Sequence, residues 1–379
     1  MVRQFSVLCV AGQGLVAEIW RKFRVKNVAP ARGKLKMPRT RTMKNLTCHV
    51  ACALLALASA TGTYAADLLV YEGKEGPGKG KHIVFLAGDE EYRSEEGLPM
   101  LAQILAERHG FKCTVLFSLD PTDGTINPMA TTNLPGMEAL TSADLCVMKL
   151  RFRDLPESQM RPFVEYLNAG KPIIGLRTST HAFQFNVNKQ SPYAKYDWRN
   201  KDWPGGFGQQ VLGETWVNHH GNHGKESTRG IVAKDYAEHP IVRGVKDIWG
   251  PTDVYTVSHL TKDAKVLVLG EVLKGMKPED EPVEGPKNKP MMPLAWLKDY
   301  KTESGKTAHI FTTTMGAAVD LESEGLRRLL VNACYYLTDL QKNIPAAANV
   351  DYVAPFKPSW FGFGTFKKGL KPQDLALDK

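Results

Sequence analysis

Cysteine is scarce in this chain and badly spaced for chemistry. The 379 residues hold six. Cys9, Cys48 and Cys52 fall in an N-terminal segment expected to be removed, which leaves Cys113, Cys146 and Cys334. Three is an odd number, and each sits in an apolar run, so they read as small buried hydrophobes rather than a disulfide framework. No C-x-x-C pair offers a thiolate metal site. The motifs H-E-x-x-H and G-x-S-x-G are missing too, which argues against a zincin helix and a serine-hydrolase elbow. Acidic residues are nearly absent from residues 1–65, where eleven Lys/Arg face one acid, Glu18, a net of +10. The whole chain carries +9, so taking away that +10 leaves −1 for residues 66–379. The basicity is therefore confined to the N-terminal segment, and the rest has no electrostatic footprint for a nucleic acid.

The N-terminal segment has the organisation of a targeting sequence. Met43-Lys44 opens a short basic region, and Val50–Ala58 is an apolar core of nine residues. Ser59–Ala66 is a small-residue run with Thr63 and Ala65 at the positions a signal peptidase reads. Nine residues are too few for a permanent span. Residues 43–65 are thus expected to be a secretory signal peptide, with a periplasmic or secreted product and no stable membrane span after cleavage. Translation is expected to start at Met37 or Met43, which makes residues 1–42 an extension outside the mature protein. Residues 66–80 read as a Gly/Lys-rich linker, 81–341 as one α/β domain, and 342–379 as a tail expected to wrap the surface.

Within the domain, short apolar runs alternate with helical spacing. Strands are expected at His82–Gly88, Lys112–Phe117, Ala143–Leu150 and Pro172–Leu176. Helices are expected at Glu95–His109, closed by Gly110, at Pro156–Leu167 and at Glu322–Leu337. Further strands are expected at Gly230–Ala233, Lys265–Val272, Pro293–Leu297 and Ala308–Thr313. Near-continuous apolar strands separated by helices predict a mostly parallel sheet covered on both faces, an α/β three-layer sandwich.

In such sheets ligands gather at the carboxyl ends of the strands. The fourth strand changes abruptly there into Arg177-Thr178-Ser179-Thr180-His181. Arg177 can hold a substrate oxygen, Thr178 and Ser179 offer hydroxyls, and His181 titrates near neutrality and is a candidate catalyst. The bland alternative is a solvated loop with a helix cap at Thr178 or Ser179. The first strand ends in Asp89-Glu90-Glu91-Tyr92-Arg93. Asp89 and Glu90 are candidate catalytic carboxylates, and Tyr92 and Arg93 candidate substrate contacts, while Ser94–Glu96 are assigned to capping the next helix. Both stretches are expected to face one another across a single pit. The long segment between Gln184 and Gly230 is too aromatic to be disordered. Its Trp198 and Trp203, with Tyr193 and Tyr196, can stack on sugar rings or form a satellite core. His219, His220 and His223 cluster on a Gly-containing loop, a possible site for Zn or a similar divalent metal, with His220 also a substrate-binding candidate.

The order of these elements resembles the ThuA-like (trehalose utilisation) family over residues 80–340. The resemblance is carried by the polar turn after Pro172-Ile173-Ile174-Gly175, by Glu238-His239-Pro240-Ile241-Val242-Arg243-Gly244, by Thr252-Asp253-Val254-Tyr255, by Pro293-Leu294-Ala295-Trp296 and by Gly305–Gly316. It implies a class I glutamine amidotransferase-like, flavodoxin-like fold and a role in sugar metabolism, including oxidised 3-keto disaccharides. It also implies that Asp253 and Tyr255 form an acid–aromatic pair, with Asp253 a site carboxylate. Two departures stand out. The elbow that carries a Cys nucleophile in amidotransferases has none here, which excludes thiolate acyl transfer from glutamine. Gly316 is followed by Ala317 where many members have His. The expectation is an exported protein acting on a glycoside or 3-keto sugar by acid/base chemistry. The alternative is a sugar-binding protein that kept the crevice without catalysis.

Overall fold

The computed structural model describes residues 68–377. The signal segment 43–65, the extension 1–42 and the first residues of the linker lie outside the described residues.

His82–Gly88 forms β2, and its side chains show why the chain is layered. Ile83, Phe85 and Ala87 join one hydrophobic cluster, while Val84 and Leu86 join another on the opposite face. An apolar run with both faces buried is what a central parallel strand requires. Helix α1 (Ser94–His109) and helix α3 (Glu324–Leu337) cover the first face, and α2 (Glu157–Asn168) covers the second. Gly110 closes α1 at φ 81, as its position predicted. Ser323 caps α3 by accepting from Leu326 N–H at 3.2 Å.

The parallel core contains β3 (Lys112–Phe117), β2, β4 (Leu145–Leu150), β5 (Ile173–Leu176) and β10 (Thr307–Thr313), hydrogen-bonded in that order. Counted along the chain, this is the order 2-1-3-4-5 of the flavodoxin-like fold. Beyond β10 the sheet continues antiparallel through β9 (Met292–Lys301), β8 (Lys265–Val272), β6 (Thr228–Val232) and β7 (Ile248–Gly250). β1 (Leu69–Tyr71) adds an antiparallel edge on β3 and takes up part of the expected linker.

Register places the site. Gly88 lies opposite Leu150, Met148 opposite Gly175, and Thr313 opposite Leu176. The residues that follow each strand, Asp89, Arg151, Arg177 and Thr314, therefore emerge along one edge. The expected cap at Ser94 is replaced. Helix α1 starts from Arg93 in the left-handed region, φ 56, with no side-chain cap, and the Ser94 hydroxyl accepts instead from Asp89 N–H at 3.0 Å. The tail is tied to α1 by Ser359 N–H donating to Glu96 Oε2 (2.7 Å), to the loop after β3 by Leu370 O accepting from Ile126 N–H (2.7 Å), and to β1 by Leu375 O accepting from the Tyr71 hydroxyl (2.6 Å). No helix among the described residues is long and apolar enough to cross a membrane.

Candidate functional site

The polar turn after β5 is a short 3-10 turn without a side-chain cap, and it begins under strain: Arg177 has φ 41. An arginine thus occupies the elbow where a nucleophile sits in related folds. Its guanidinium lies between the rings of Tyr92 and Tyr255, 4.2 and 4.4 Å from their centroids. Nη1 donates to the carbonyls of Asp253 and Thr314, both at 2.9 Å, and Nη2 lies 3.2 Å from the Tyr92 hydroxyl and 3.3 Å from Asp253 Oδ1. Arg177 is fully buried. It organises the site from beneath and does not reach solvent.

Asp89 does face the elbow, because Thr178 donates its hydroxyl to Asp89 Oδ2. Asp89 Oδ1 accepts from the N–H groups of Glu91 (2.8 Å) and Tyr92 (3.0 Å), and the residue has no exposure. With its acceptors taken by the turn, Asp89 holds the β2–α1 loop in shape. Glu90 is buried between Arg151 and Arg153, with Arg153 Nη2 at 2.9 Å. Arg93 turns away toward the tail and donates to Gly362 O at 2.6 Å and to the Thr365 hydroxyl. Ser179 is also internal, donating to Met148 O at 2.9 Å.

The histidine loop is tied to the strand end after β7. His219 and Tyr255 form an antiparallel bridge, and His220 N–H donates to Val254 O at 3.0 Å. Neighbouring residues on an extended segment point to opposite sides, and the loop obeys this. His220 Nε2 reaches Lys287 O at 2.8 Å, away from the site. His219 Nδ1 lies 2.7 Å from Asp253 Oδ2, and His223 Nδ1 lies 2.8 Å from Asp253 Oδ1. The trio close enough to share a metal is therefore His219, His223 and Asp253, whose ligand atoms lie within 4.8 Å of one another. His220 is not part of it.

Burial alone would raise the pKa of Asp253. Hydrogen bonds from His219 and His223 and the Arg177 charge outweigh it and hold the carboxyl well below the usual carboxylate range. An ionised carboxylate can only accept, so each imidazole donates Nδ1–H and, while neutral, leaves Nε2 bare. Glu91 Oε1 stands 3.6 Å from His223 Nε2.

These groups surround a small pit lined by the rings of Phe152, Trp216 and Tyr255 and by Glu91, Arg151, His181 and His219. His181 is buried here, and desolvation, with the charges of Arg151 and Arg177, pushes its pKa well below the ordinary imidazole value. It stays neutral and offers hydrogen bonding rather than charge. The pit holds about 60 Å³. A cavity enclosing one benzene needs ~150 Å³, so only one edge of a sugar ring could enter. A larger groove, about 540 Å³, lies between α1 and the tail and has no histidine in its lining. Arg151, His181 and His219 gather at the smaller opening.

The aromatic set of the long loop divides. Trp198 stands beside the site, with ring centroids 5.9 Å from Phe152 and 6.1 Å from Trp216. Trp203 packs on Tyr196, and Tyr196 joins Phe183 and Phe207 in the core. Sequence reasoning did not single out Glu91, Arg151, Phe152 or Trp216. Arg151 follows the end of β4 and could have been found by the strand-end rule that picked Asp89. Phe361 carried no such signal. It comes from the tail and covers Tyr92 (5.6 Å) and His223 (5.2 Å).

A family model described as trehalose utilisation, ThuA, matches residues 82–337. The chain belongs to the ThuA family. Among solved structures, this ThuA-family chain is similar to a ThuA-like protein from Parabacteroides merdae at 14% identity, over 79% of this chain and 99% of that one, with a TM-score of 0.43. It is also similar to a ThuA-like protein from Bacteroides uniformis at 14% identity, over 70% and 95%, with a TM-score of 0.41. No curated protein matches it. The family match ends at residue 337, so the tail that supplies Phe361 lies outside it.

Proposed function

We propose that this ThuA-family chain acts on a glycoside, or on its 3-keto form, with His219 as the group that moves the proton. One observation carries the reading: His219 lines the pit while its Nδ1 is held 2.7 Å from an ionised, buried Asp253. A carboxylate in that position fixes the tautomer and stabilises the imidazolium formed on proton uptake. On a 3-keto sugar, His219 Nε2 would take the proton from the carbon between the carbonyl and the anomeric centre. Arg151, at the rim of the pit, would hold the developing oxyanion. The electron pair left behind forms a carbon–carbon double bond as the glycosidic C–O bond breaks, and the departing oxygen takes the proton back from the His219 imidazolium. Cys113, Cys146 and Cys334 are all buried and take no part.

Turnover of a panel of glycosides and 3-keto-glycosides by wild type and His219→Gln tests this. Turnover by wild type and its loss in the variant support the reading. Sugar binding without turnover by wild type favours a non-catalytic sugar-binding protein. A metal-assisted version of the same site is favoured by the close approach of His219, His223 and Asp253, which suits Zn or another divalent ion. In that case His219 would be a ligand and not the base, and activity would vanish on chelation and return with added metal. Export remains part of the proposal through the Val50–Ala58 segment, and N-terminal sequencing of the mature protein checks it.

A further inference from the structure

The pit is too small for a whole sugar ring, so most of any substrate must lie against what surrounds its mouth. Among the described residues, six large hydrophobic side chains are exposed, and the only aromatic ones are Trp360 (54%) and Phe363 (57%). They lie three positions apart on the tail, Phe363 against a residue of the pit and Trp360 one ring further out. Trp360 stacks on Phe361 at 4.8 Å and 26° between planes, and Phe361 packs on His223. Phe363 lies 5.1 Å from the guanidinium of Arg151, which lines the pit. Gly362 between them is clamped on both sides. Its N–H donates to Glu91 O at 2.8 Å, and its carbonyl accepts from Arg93 at 2.6 Å. The clamp turns Phe361 inward and fixes the two exposed rings outside it.

The geometry points to a second-ring subsite on the tail. Trp360 and Phe363, in a tail that lies outside the family match, form an apolar platform for the C–H face of a second sugar. Two exposed aromatic rings, one of them beside the Arg151 guanidinium, suit a pyranose, which presents an apolar face and a rim of hydroxyls. The inference rests on the sugar reading of the pit, but it concerns residues that reading does not use.

The test compares glucose and 3-ketoglucose with trehalose, cellobiose and the 3-keto forms of both disaccharides. It uses wild type, Trp360→Ala, Phe363→Ala, the double variant and Trp360→Phe. Each alanine change is expected to raise KM or Kd for the disaccharides about 3- to 10-fold, from the usual worth of an aromatic contact. The monosaccharide constants and Tm should stay unchanged, and Trp360→Phe should restore most of the loss. Equal weakening toward both classes, or none, overturns the subsite while leaving the sugar reading intact. Failure of wild type to bind any of these sugars removes both.

Discussion

Glu95 is a buried carboxylate whose burial outweighs the cations near it. It is 7% exposed, and neither side-chain oxygen has a hydrogen-bond partner in the fold. Burial drives its pKa up to about 7, against the pull of the Arg93 and Lys149 charges. Lifting a carboxyl from 4.5 to about 7 makes its ionised form about 3 kcal/mol less favourable in the fold than in the unfolded chain. The folded pKa is raised, so the cost is absent below about pH 4.5, builds as the unfolded carboxyl ionises, and is complete above about pH 7. Glu95→Gln removes the ionisation. In urea unfolding at pH 5 and 7.5, the stability of the variant relative to wild type should rise by about 2–3 kcal/mol between the two pH values. Lys149, lowered to about 8 by burial, stays largely protonated over this window and adds little slope. The change with pH is the readout, because a constant offset reflects only how the amide packs. A difference that stays flat, or falls as pH rises, would refute the placement of Glu95 as an acid whose burial outweighs the charges near it.

Arg177→Lys keeps the charge but cannot reach the Asp253 and Thr314 carbonyls, the Asp253 carboxylate and the Tyr92 hydroxyl at once. It should lose about 3–5 kcal/mol by denaturant unfolding; a loss below 1 would contradict the network. Asp89→Asn should cost about 2–4 kcal/mol, because a buried charge that serves the turn and faces Lys149 is removed. Its turnover per folded molecule should stay within a few-fold of wild type, whereas a loss of a thousand-fold would make Asp89 a catalyst. Gly206 has φ 53, and an added Cβ would stand 2.1 Å from Asp197 O. Gly206→Ala should lower stability by at least about 2 kcal/mol, and an unchanged Tm would show that the loop carrying Trp198 is free to adjust.

Much of the fold was legible because its central strands are buried on both faces and so read as apolar runs. The Val84/Phe85 alternation between two clusters is the physical counterpart of that pattern. β1 and β7 escaped notice because three residues are too few for any period. β9 runs to Lys301, well past Leu297, because its far half alternates exposed and half-buried positions rather than staying apolar. At the site, the strand-end rule located Asp89 and the Arg177–His181 turn, but it could not say which side chains face water. That depends on hydrogen bonds between residues nearly ninety positions apart, such as Thr178 with Asp89. Clustering picked out the histidines. Only the course of the loop separates His219 and His223 from His220, since one side of an extended segment faces Asp253 and the other Lys287. Phe361 was invisible because an irregular tail has no register from which to place a ring.

Hydrogen exchange into the substrate tests the role of His219 most directly. A 3-keto-glycoside incubated with the protein in D2O and followed by proton NMR should lose the signal of the hydrogen between carbonyl and anomeric carbon. With His219→Gln, folded to the same Tm, that signal should persist at the uncatalysed rate. Equal exchange by the variant, or none by wild type while the glycoside is still consumed, would contradict His219 as the proton-transfer group.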